Sequence, residues 1–245
     1  MATCAAPPLA RLRERGPGGE GLRIHEITTD SMADRAEPRM HDVSRPVRTG
    51  TPVWPGDSPC CIRWTMLRSE GSTVNVAELS MSAHTGTHAD GPFHVSDSGV
   101  HIGAAPLSAY AGPARVVDVR GSAMIDAAVL RQALGDGQWP ERVLFRTGAW
   151  TDEDVFPTVF AAFDAESAEM LGAAGLRLVG TDAPSVDAFD SKELPAHNAF
   201  GAHGVAIVEN LLLDDVAPGD YELIALPLRL EEADASPVRA VLREL

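Results

Sequence analysis

Histidine and aspartate residues are concentrated in the segment SAHTGTHADGPFH, which spans residues 82–94. It contains three of the eight histidines of the 245-residue chain, with one aspartate between them. In chain order these residues are His84, His88, Asp90 and His94. Imidazole and carboxylate groups suit Zn²⁺ as ligands without any cysteine. An HxxxH pair alone often lies on the protein surface without binding a metal, but the added aspartate, third histidine and glycines favour a metal site.

The spacing of this segment constrains its backbone. All offsets between the four residues are even, so on an extended strand their side chains would share one side. His84 and His88 would then lie ~13 Å apart, too far for one ion with ligand bonds of ~2.0–2.2 Å. The intervening Thr-Gly-Thr does not favour a helix. We therefore predict a curled loop after a strand, with bends at Gly86 and at the Gly91-Pro92 pair.

The remainder of the chain has the pattern of an α/β domain. Two helices are predicted: SAMIDAAVLRQALG, capped by Ser122 and ending at Gly135, and DAESAEMLGAAG, capped by Asp164 or Ser167. The alternation of strand and helix indicates a sheet that is covered by helices. Runs rich in Val, Ile and Leu, or with alternating polarity, predict strands over residues 73–81, 115–120, 142–148, 176–182, 204–210 and 221–228.

Composition limits the classes of partner and compartment. Residues 1–39 lack apolar periodicity and are predicted to be a flexible N-terminal extension of a single domain, residues 40–245. The net charge of −15 disfavours binding to nucleic acid or to an anionic membrane. No apolar run reaches the ~18 residues that a membrane span needs. Three cysteines, two of them the adjacent Cys60 and Cys61, form no disulfide framework, so we expect a cytoplasmic protein with free thiols.

The motif HTGTHADGPFH, residues 84–94, resembles the HxGTHxDxPxH motif of the bacterial cyclase family of metal-dependent hydrolases. Within that family the chain is most similar to the bacterial kynurenine formamidases (arylformamidases). The resemblance covers residues 41–245 and implies a swivelling β/β/α domain with a mixed sheet and covering helices. It also implies a homodimer or a larger homo-oligomer. Further blocks that carry the resemblance are TPVWPGD (51–57), GTDAPSVD (180–187), SKELPAH (191–197) and residues 207–242.

The same resemblance assigns roles to individual residues. It implies two zinc ions per subunit, with Asp90 and Glu209 contacting both, although other divalent metals stay open. His94 matches the catalytic acid/base and is not a ligand, and Trp54 matches an aromatic residue of the substrate pocket. The ligands that it implies are His84, His88, Asp90, His197 and Glu209.

The function implied by the resemblance is the hydrolysis of N-formyl-L-kynurenine to L-kynurenine and formate by a metal-bound hydroxide, in tryptophan degradation through the kynurenine pathway. One alternative is a related hydrolase that acts on another aryl or cyclic amide, such as isatin. A second is a metal-binding protein without catalysis, for which a non-ligand histidine at position 94 would have no use. Asp182 is a candidate hydrogen-bond partner for a ligand imidazole, although a turn containing Pro184 explains it equally well.

Overall fold

The structure of the protein is a computed structural model that describes residues 38–245. Nearly all of the predicted N-terminal extension, residues 1–37, lies outside the described residues, and the domain division at residue 39 stays a prediction. Within the described part of the chain, no helix is both long and apolar enough to cross a membrane.

Eleven strands, three α-helices and four short 3₁₀ helices make up the regular structure of residues 38–245. The helices are α1 (Ala127–Leu134), α2 (Ala165–Ala173) and α3 (Pro195–Ala202). The strands are β1 (Met40–Asp42), β2 (Cys61–Met66), β3 (Val76–Ser80), β4 (His88–Asp90), β5 (Ala111–Asp118), β6 (Arg142–Arg146), β7 (Leu178–Thr181), β8 (Ala206–Glu209), β9 (Gly219–Ile224), β10 (Ala235–Pro237) and β11 (Val241–Glu244).

One mixed sheet contains nine of these strands, in the order β1-β11-β9-β5-β6-β7-β8-β4-β10. The strands β5, β6, β7 and β8 are parallel neighbours, and every other pair in the sheet is antiparallel. Parallel strands are generally buried on both faces because their connections cover the sheet. All five residues of β6 are buried accordingly.

The sheet separates two hydrophobic clusters. Val143 and Phe145 of β6 belong to the cluster that also contains residues of all three helices, whereas Leu144 between them belongs to the other cluster. This second cluster joins Ala89 of β4 to Leu242 of β11, although six positions separate these strands in the sheet. The sheet is therefore curled around this cluster. The predicted α/β fold with a mixed sheet and covering helices is confirmed.

The structure corrects the predicted cap of α1 and decides between the two predicted caps of α2. The predicted cap Ser122 lies outside α1, which begins after Asp126; the Asp126 side chain accepts hydrogen bonds from two backbone amides of the first turn, both at 2.9 Å. Helix formation is delayed because Ile125 is extended and forms a parallel bridge with Phe163. For α2 the cap is Asp164, whose side chain accepts from the Ser167 amide at 2.7 Å.

A separate hairpin, formed by β2 and β3, has an unusual distribution of polarity. An antiparallel sheet normally turns its apolar face toward the protein core. Here Arg63 and Glu78 form an ion pair on one face, with nitrogen and oxygen 2.6 Å apart. The opposite face is exposed and carries Ile62, Trp64, Met66, Ala77 and Leu79.

The two adjacent cysteines differ in state. Cys60 is buried and its thiol is free, and burial raises the pKa of this thiol. Cys61 is disulfide-bonded, so the expectation of free thiols was wrong at this position. The cysteine spacing in the sequence contains no signal for such a bond.

Gly91 lies at a close approach between two backbones. Its amide donates to the Asp234 carbonyl at 2.7 Å. A Cβ atom at Gly91 would lie 2.8 Å from the Ile102 nitrogen and 2.9 Å from the Asp234 carbonyl oxygen. Because these contacts are with backbone atoms, no side-chain rotation can relieve them. The glycine therefore holds the end of β4 against the segment that precedes β10.

We predict that Gly91→Ala lowers the free energy of unfolding of the metal-free protein by about 1–3 kcal/mol, as overpacking does elsewhere. Gly137→Ala is the matched control, since a methyl group added there would have no other atom within 4 Å. Urea denaturation of both variants measures the difference. Equal stability of the two variants would contradict the close approach at Gly91.

Candidate metal centre

Strand register brings the first donors together. His88 and Asp90 are two residues apart on β4, so their side chains lie on the same face. The antiparallel pairing of β4 with β8 places Glu209 directly opposite His88. Side chains that are directly opposite in an antiparallel pair are near neighbours on one face. The sheet itself thus gathers two carboxylates and one imidazole.

The other donors come from segments next to this part of the sheet. His84 lies before β4 in a turn in which the Thr85 amide donates to the Ser82 carbonyl. Gly86 follows with a φ of 67°, in the left-handed region. The predicted curl is therefore present at His84–Gly86, but His88 and Asp90 lie on a strand, which corrects the expectation of a continuous loop. The last donor, His197, lies on α3.

The donor atoms form two groups that share Asp90, namely His84–His88–Asp90 and Asp90–His197–Glu209. Asp90 Oδ1 lies 3.2 Å from His84 Nδ1 and 3.5 Å from His88 Nε2, whereas Oδ2 lies 3.5 Å from His197 Nε2. Glu209 Oε2 lies 3.5 Å from His88 Nε2, and Oε1 lies 3.6 Å from His197 Nε2. Tetrahedral bonds of ~2.0–2.2 Å separate ligand atoms by ~3.3–3.6 Å, which matches these distances.

Four buried polar atoms at this point have no hydrogen-bond partner within the described protein: both Asp90 carboxylate oxygens, His88 Nε2 and His197 Nε2. Buried polar groups are nearly always hydrogen-bonded, and buried charges are paired or coordinate metals. Imidazole and carboxylate donors suit zinc and related divalent cations. The residues present therefore fit a metal ion.

Two imidazoles are oriented through their second nitrogen. His88 Nδ1 lies 2.9 Å from the Gly86 carbonyl oxygen, which leaves Nε2 facing the carboxylates. His84 Nε2 lies 2.8 Å from Asp234 Oδ2, which leaves Nδ1 facing Asp90. Such partners set the tautomer of a ligand histidine and hold its ring in place.

Asp187 orients the third imidazole. It accepts a hydrogen bond from His197 Nδ1 at 2.6 Å and two more from backbone amides at the start of α3. Burial raises the pKa of Asp187, but these hydrogen bonds outweigh burial and lower it. The imidazole partner is thus Asp187 and not the candidate Asp182, which accepts from the backbone of residues 147–148 at 2.8 and 2.9 Å.

The electrostatics of the centre couple metal binding to protons. Burial lowers the pKa of both His84 and His197, but the neighbouring carboxylates outweigh it and raise each pKa to about 10. Burial raises the pKa of Asp90, yet the facing imidazoles of His197 and His84 outweigh burial and hold this pKa well below its usual value. Because the pKa values of His84 and His197 lie above neutral pH, we expect both imidazoles to be protonated without a cation, so a metal must displace those protons.

His94 lies at the rim of the centre, in a short 3₁₀ helix, Pro92–His94. It is exposed, and its Nδ1 lies 3.2 Å from Asp234 Oδ2. His84, His94 and Asp234 form a third group whose donor atoms lie within 4.8 Å of one another. This position is compatible with a proton-transfer role of His94 and with a ligand role.

A cavity of about 300 Å³ opens onto the donor residues, and His94 lines it as well. One wall consists of aromatic rings. Trp54 packs on Phe189, with ring centroids 5.0 Å apart and planes 32° apart, and its edge meets Phe156 at 5.5 Å. Trp54 was expected at a pocket from the sequence, but the two phenylalanines were not. Asp234 was not expected either, because it carries no local signal.

The curled mixed sheet and this donor set define the class of a metal-dependent hydrolase. Residues 41–188 match the family described as "Putative cyclase", and the chain belongs to this family. The predicted class of enzyme is thereby confirmed.

Solved structures are similar over most of the chain. A potential metal-dependent hydrolase with cyclase activity shares 29% identity, with a TM-score of 0.72, 83% of this chain and 96% of that chain covered. A predicted metal-dependent hydrolase from Bacillus stearothermophilus also shares 29% identity, with a TM-score of 0.71 and coverages of 84% and 98%. Isatin hydrolase A from Ralstonia solanacearum, at 20% identity, has a TM-score of 0.72 and coverages of 84% and 92%, a similarity of fold.

We predict that zinc binding to the chelator-treated protein at pH 7.5 releases about one to two protons per chain, because His84 and His197 must lose theirs. Calorimetry in buffers of different ionisation enthalpy measures the number. His203→Gln, which removes an imidazole paired with Glu169, should release the same number. Zinc binding without proton release would contradict the protonation of these imidazoles.

Proposed function

We propose that the protein is an arylformamidase that hydrolyses N-formyl-L-kynurenine to L-kynurenine and formate, in the kynurenine pathway of tryptophan degradation. The observation that carries this proposal is the cavity with metal donors at one end and aromatic rings along one wall. Trp54 and Phe189 would stack on the aryl ring of the substrate. The bound ring would then direct its formamide group toward the donors. The resemblance over residues 41–245 supports the same substrate.

The proposed ligands hold two divalent cations per subunit, with zinc as the expected metal. When bound, the cations would activate water and polarise the formyl oxygen. Each carboxylate directs one oxygen toward each donor group, so Asp90 and Glu209 are suited to contact both ions. The five ligands are His84, His88, Asp90, His197 and Glu209.

His94 is the proposed acid/base. Asp234 accepts a hydrogen bond from His94 Nδ1, which leaves Nε2 to exchange a proton with the substrate. The residue lines the cavity beside the donors, so it can protonate the arylamine nitrogen as the C–N bond breaks. Its exposure also distinguishes it from the buried His88 and His197, whose free nitrogens lack any partner within the described residues.

A related hydrolase of cyclic aryl amides is the second candidate. Several similar solved structures are isatin hydrolases, one of them bound to the product analogue thioisatinate, at 21% identity. An aromatic-lined cavity would accept a flat bicyclic amide as well as a formanilide. Values of kcat/KM for formylkynurenine and isatin, measured on one preparation, separate the two activities. A non-catalytic metal-binding protein would hydrolyse neither.

We predict that Glu209→Gln loses much of the bound metal and most of the activity, because a neutral amide is a poor bridging ligand. Elemental analysis should give close to two equivalents of metal in the unmodified protein. Glu193→Gln, an exposed neighbour of α3, is the control and should retain both properties. Full metal content and full turnover in Glu209→Gln would show that Glu209 does not bridge.

For His94→Ala we expect a reduction of turnover by about 10²–10⁴-fold with metal content and melting temperature unchanged, because only proton transfer is lost. Kinetics, metal analysis and thermal melts on one preparation measure all three quantities. Loss of metal together with activity would instead assign His94 as a ligand. A loss of stability with little loss of rate would make it a packing residue.

We also propose that the protein is cytoplasmic and forms a homodimer or a larger homo-oligomer. The exposed apolar face of the β2–β3 hairpin supports the assembly, because apolar patches of this kind commonly mark protein interfaces. A second copy of the chain presents an equally apolar face.

Accordingly, Leu79→Glu should shift the protein toward monomers, since a charge would have to be buried in the interface. Leu79 is 54% exposed, and the control Val159→Glu changes a residue that is 89% exposed and is not part of the hairpin. Sedimentation velocity measures the distribution. A purely monomeric unmodified protein would contradict the oligomer, and an unchanged oligomer in Leu79→Glu would exclude this face.

A further inference from the structure

Two oppositely charged side chains line the cavity beyond the metal donors. They are Lys192, from the loop before α3, and Asp57, from the turn that contains Trp54. Neither belongs to the donor groups described above. Their charges have no role in the chemistry derived so far, so their position in the substrate cavity requires an explanation.

Lys192 is the only lysine in the chain. Its side chain is exposed, and within residues 38–245 its ammonium group makes no hydrogen bond or ion pair. Most arginines of the same region, in contrast, are paired with a carboxylate or a carbonyl oxygen. An unpaired cation on the wall of a cavity is available to a ligand anion.

Asp57 is a fixed carboxylate. Its backbone amide donates to the Trp54 carbonyl at 2.9 Å, which closes the turn. Its Oδ2 accepts a hydrogen bond from Ser82 Oγ at 2.8 Å. The side chain is half-buried, and no arginine or lysine of the described chain pairs with it. It therefore offers a negative charge beside the aromatic wall, with its orientation set in advance.

We propose that Lys192 binds the α-carboxylate and Asp57 the α-ammonium group of the substrate, so that the enzyme selects aryl formamides with a free α-amino-acid group. This inference rests on the proposed function and specifies the part of the substrate remote from the reacting bond. Trp54 and Asp57 belong to one turn, so ring stacking and ammonium binding would be positioned together. An isolated cation or anion on this wall would favour a simple acid or amine, whereas the pair matches a zwitterion.

A substrate series tests the two charges separately. N-formylkynuramine lacks the carboxylate, 3-(2-formamidobenzoyl)propionate lacks the ammonium group, and 2′-formamidoacetophenone lacks both. The unmodified, metal-loaded enzyme should prefer N-formyl-L-kynurenine to each of them in kcat/KM, mainly through KM. The loss of one charge-assisted hydrogen bond should lower kcat/KM by about tenfold for each missing group. This factor is at the lower end of the range for such bonds because Lys192 is exposed.

Lys192→Met should reduce the preference for formylkynurenine over formylkynuramine by about tenfold, and Lys192→Arg should restore part of it. Asp57→Asn keeps an acceptor for Ser82 and should reduce the preference over 3-(2-formamidobenzoyl)propionate by a similar factor. Glu193→Gln, adjacent to Lys192, is the charge control and should leave both ratios unchanged. Metal content is measured in every variant.

The outcomes separate this inference from the proposed function. The zwitterion site is wrong if the unmodified enzyme hydrolyses all four formamides with equal kcat/KM. It is also wrong if the kcat/KM ratios of Lys192→Met and Asp57→Asn equal those of the unmodified enzyme. In either case the arylformamidase proposal stands. If the metal-loaded protein hydrolyses none of the formamides, the proposed function itself is wrong, and the substrate inference fails with it.

Discussion

The carboxylate of Asp90 is the constraint around which the site is organised. It is only 6% exposed, and neither of its oxygens has a hydrogen-bond partner in the described protein. Burial of a carboxylate that is neither paired nor coordinated destabilises a protein by several kcal/mol, because the charge loses its hydration. His84, His88 and His197 face it, so either protons on His84 and His197 or cations between the three rings must balance its charge. The charge balance of Asp90 therefore affects both the folding of this region and the binding of cations to it.

The groups that balance this charge lie where the parallel part of the sheet meets its antiparallel part. β8 pairs in parallel with β7 and antiparallel with β4, and this second pairing sets Glu209 opposite His88. A slip of one residue would turn the Glu209 side chain away from the site, because alternate residues face opposite sides. Asp187 lies in the segment between β7 and α3, and its bonds to the helix amides position His197. Strand register and one buried aspartate thus place donors from distant parts of the chain.

Local spacing predicted much of this arrangement, but contacts between distant segments decided the rest. The strands of the parallel half were recognisable as short apolar runs. The composition of residues 82–94 indicated that its histidines and aspartate could lie together, and the structure brings His84, His88 and Asp90 together. The position of Asp234 depends on the pairing of β10 with β4, which joins Ala235 to Asp90 across the chain, and no local pattern reports it. Ser122 failed as a helix cap for the same reason, because a bridge between Ile125 and Phe163 extends the backbone there.

In the proposed centre, buried carboxylates and imidazoles together hold two cations while His94 stays outside their coordination. Anomalous diffraction at the zinc edge, from crystals of the zinc-loaded protein, tests it most directly. We expect two peaks, each within ~2.3 Å of an oxygen of Asp90, with Glu209 contacting both and His94 contacting neither. A single peak bound by His84, His94 and Asp234, or the absence of any peak near Asp90, would contradict it.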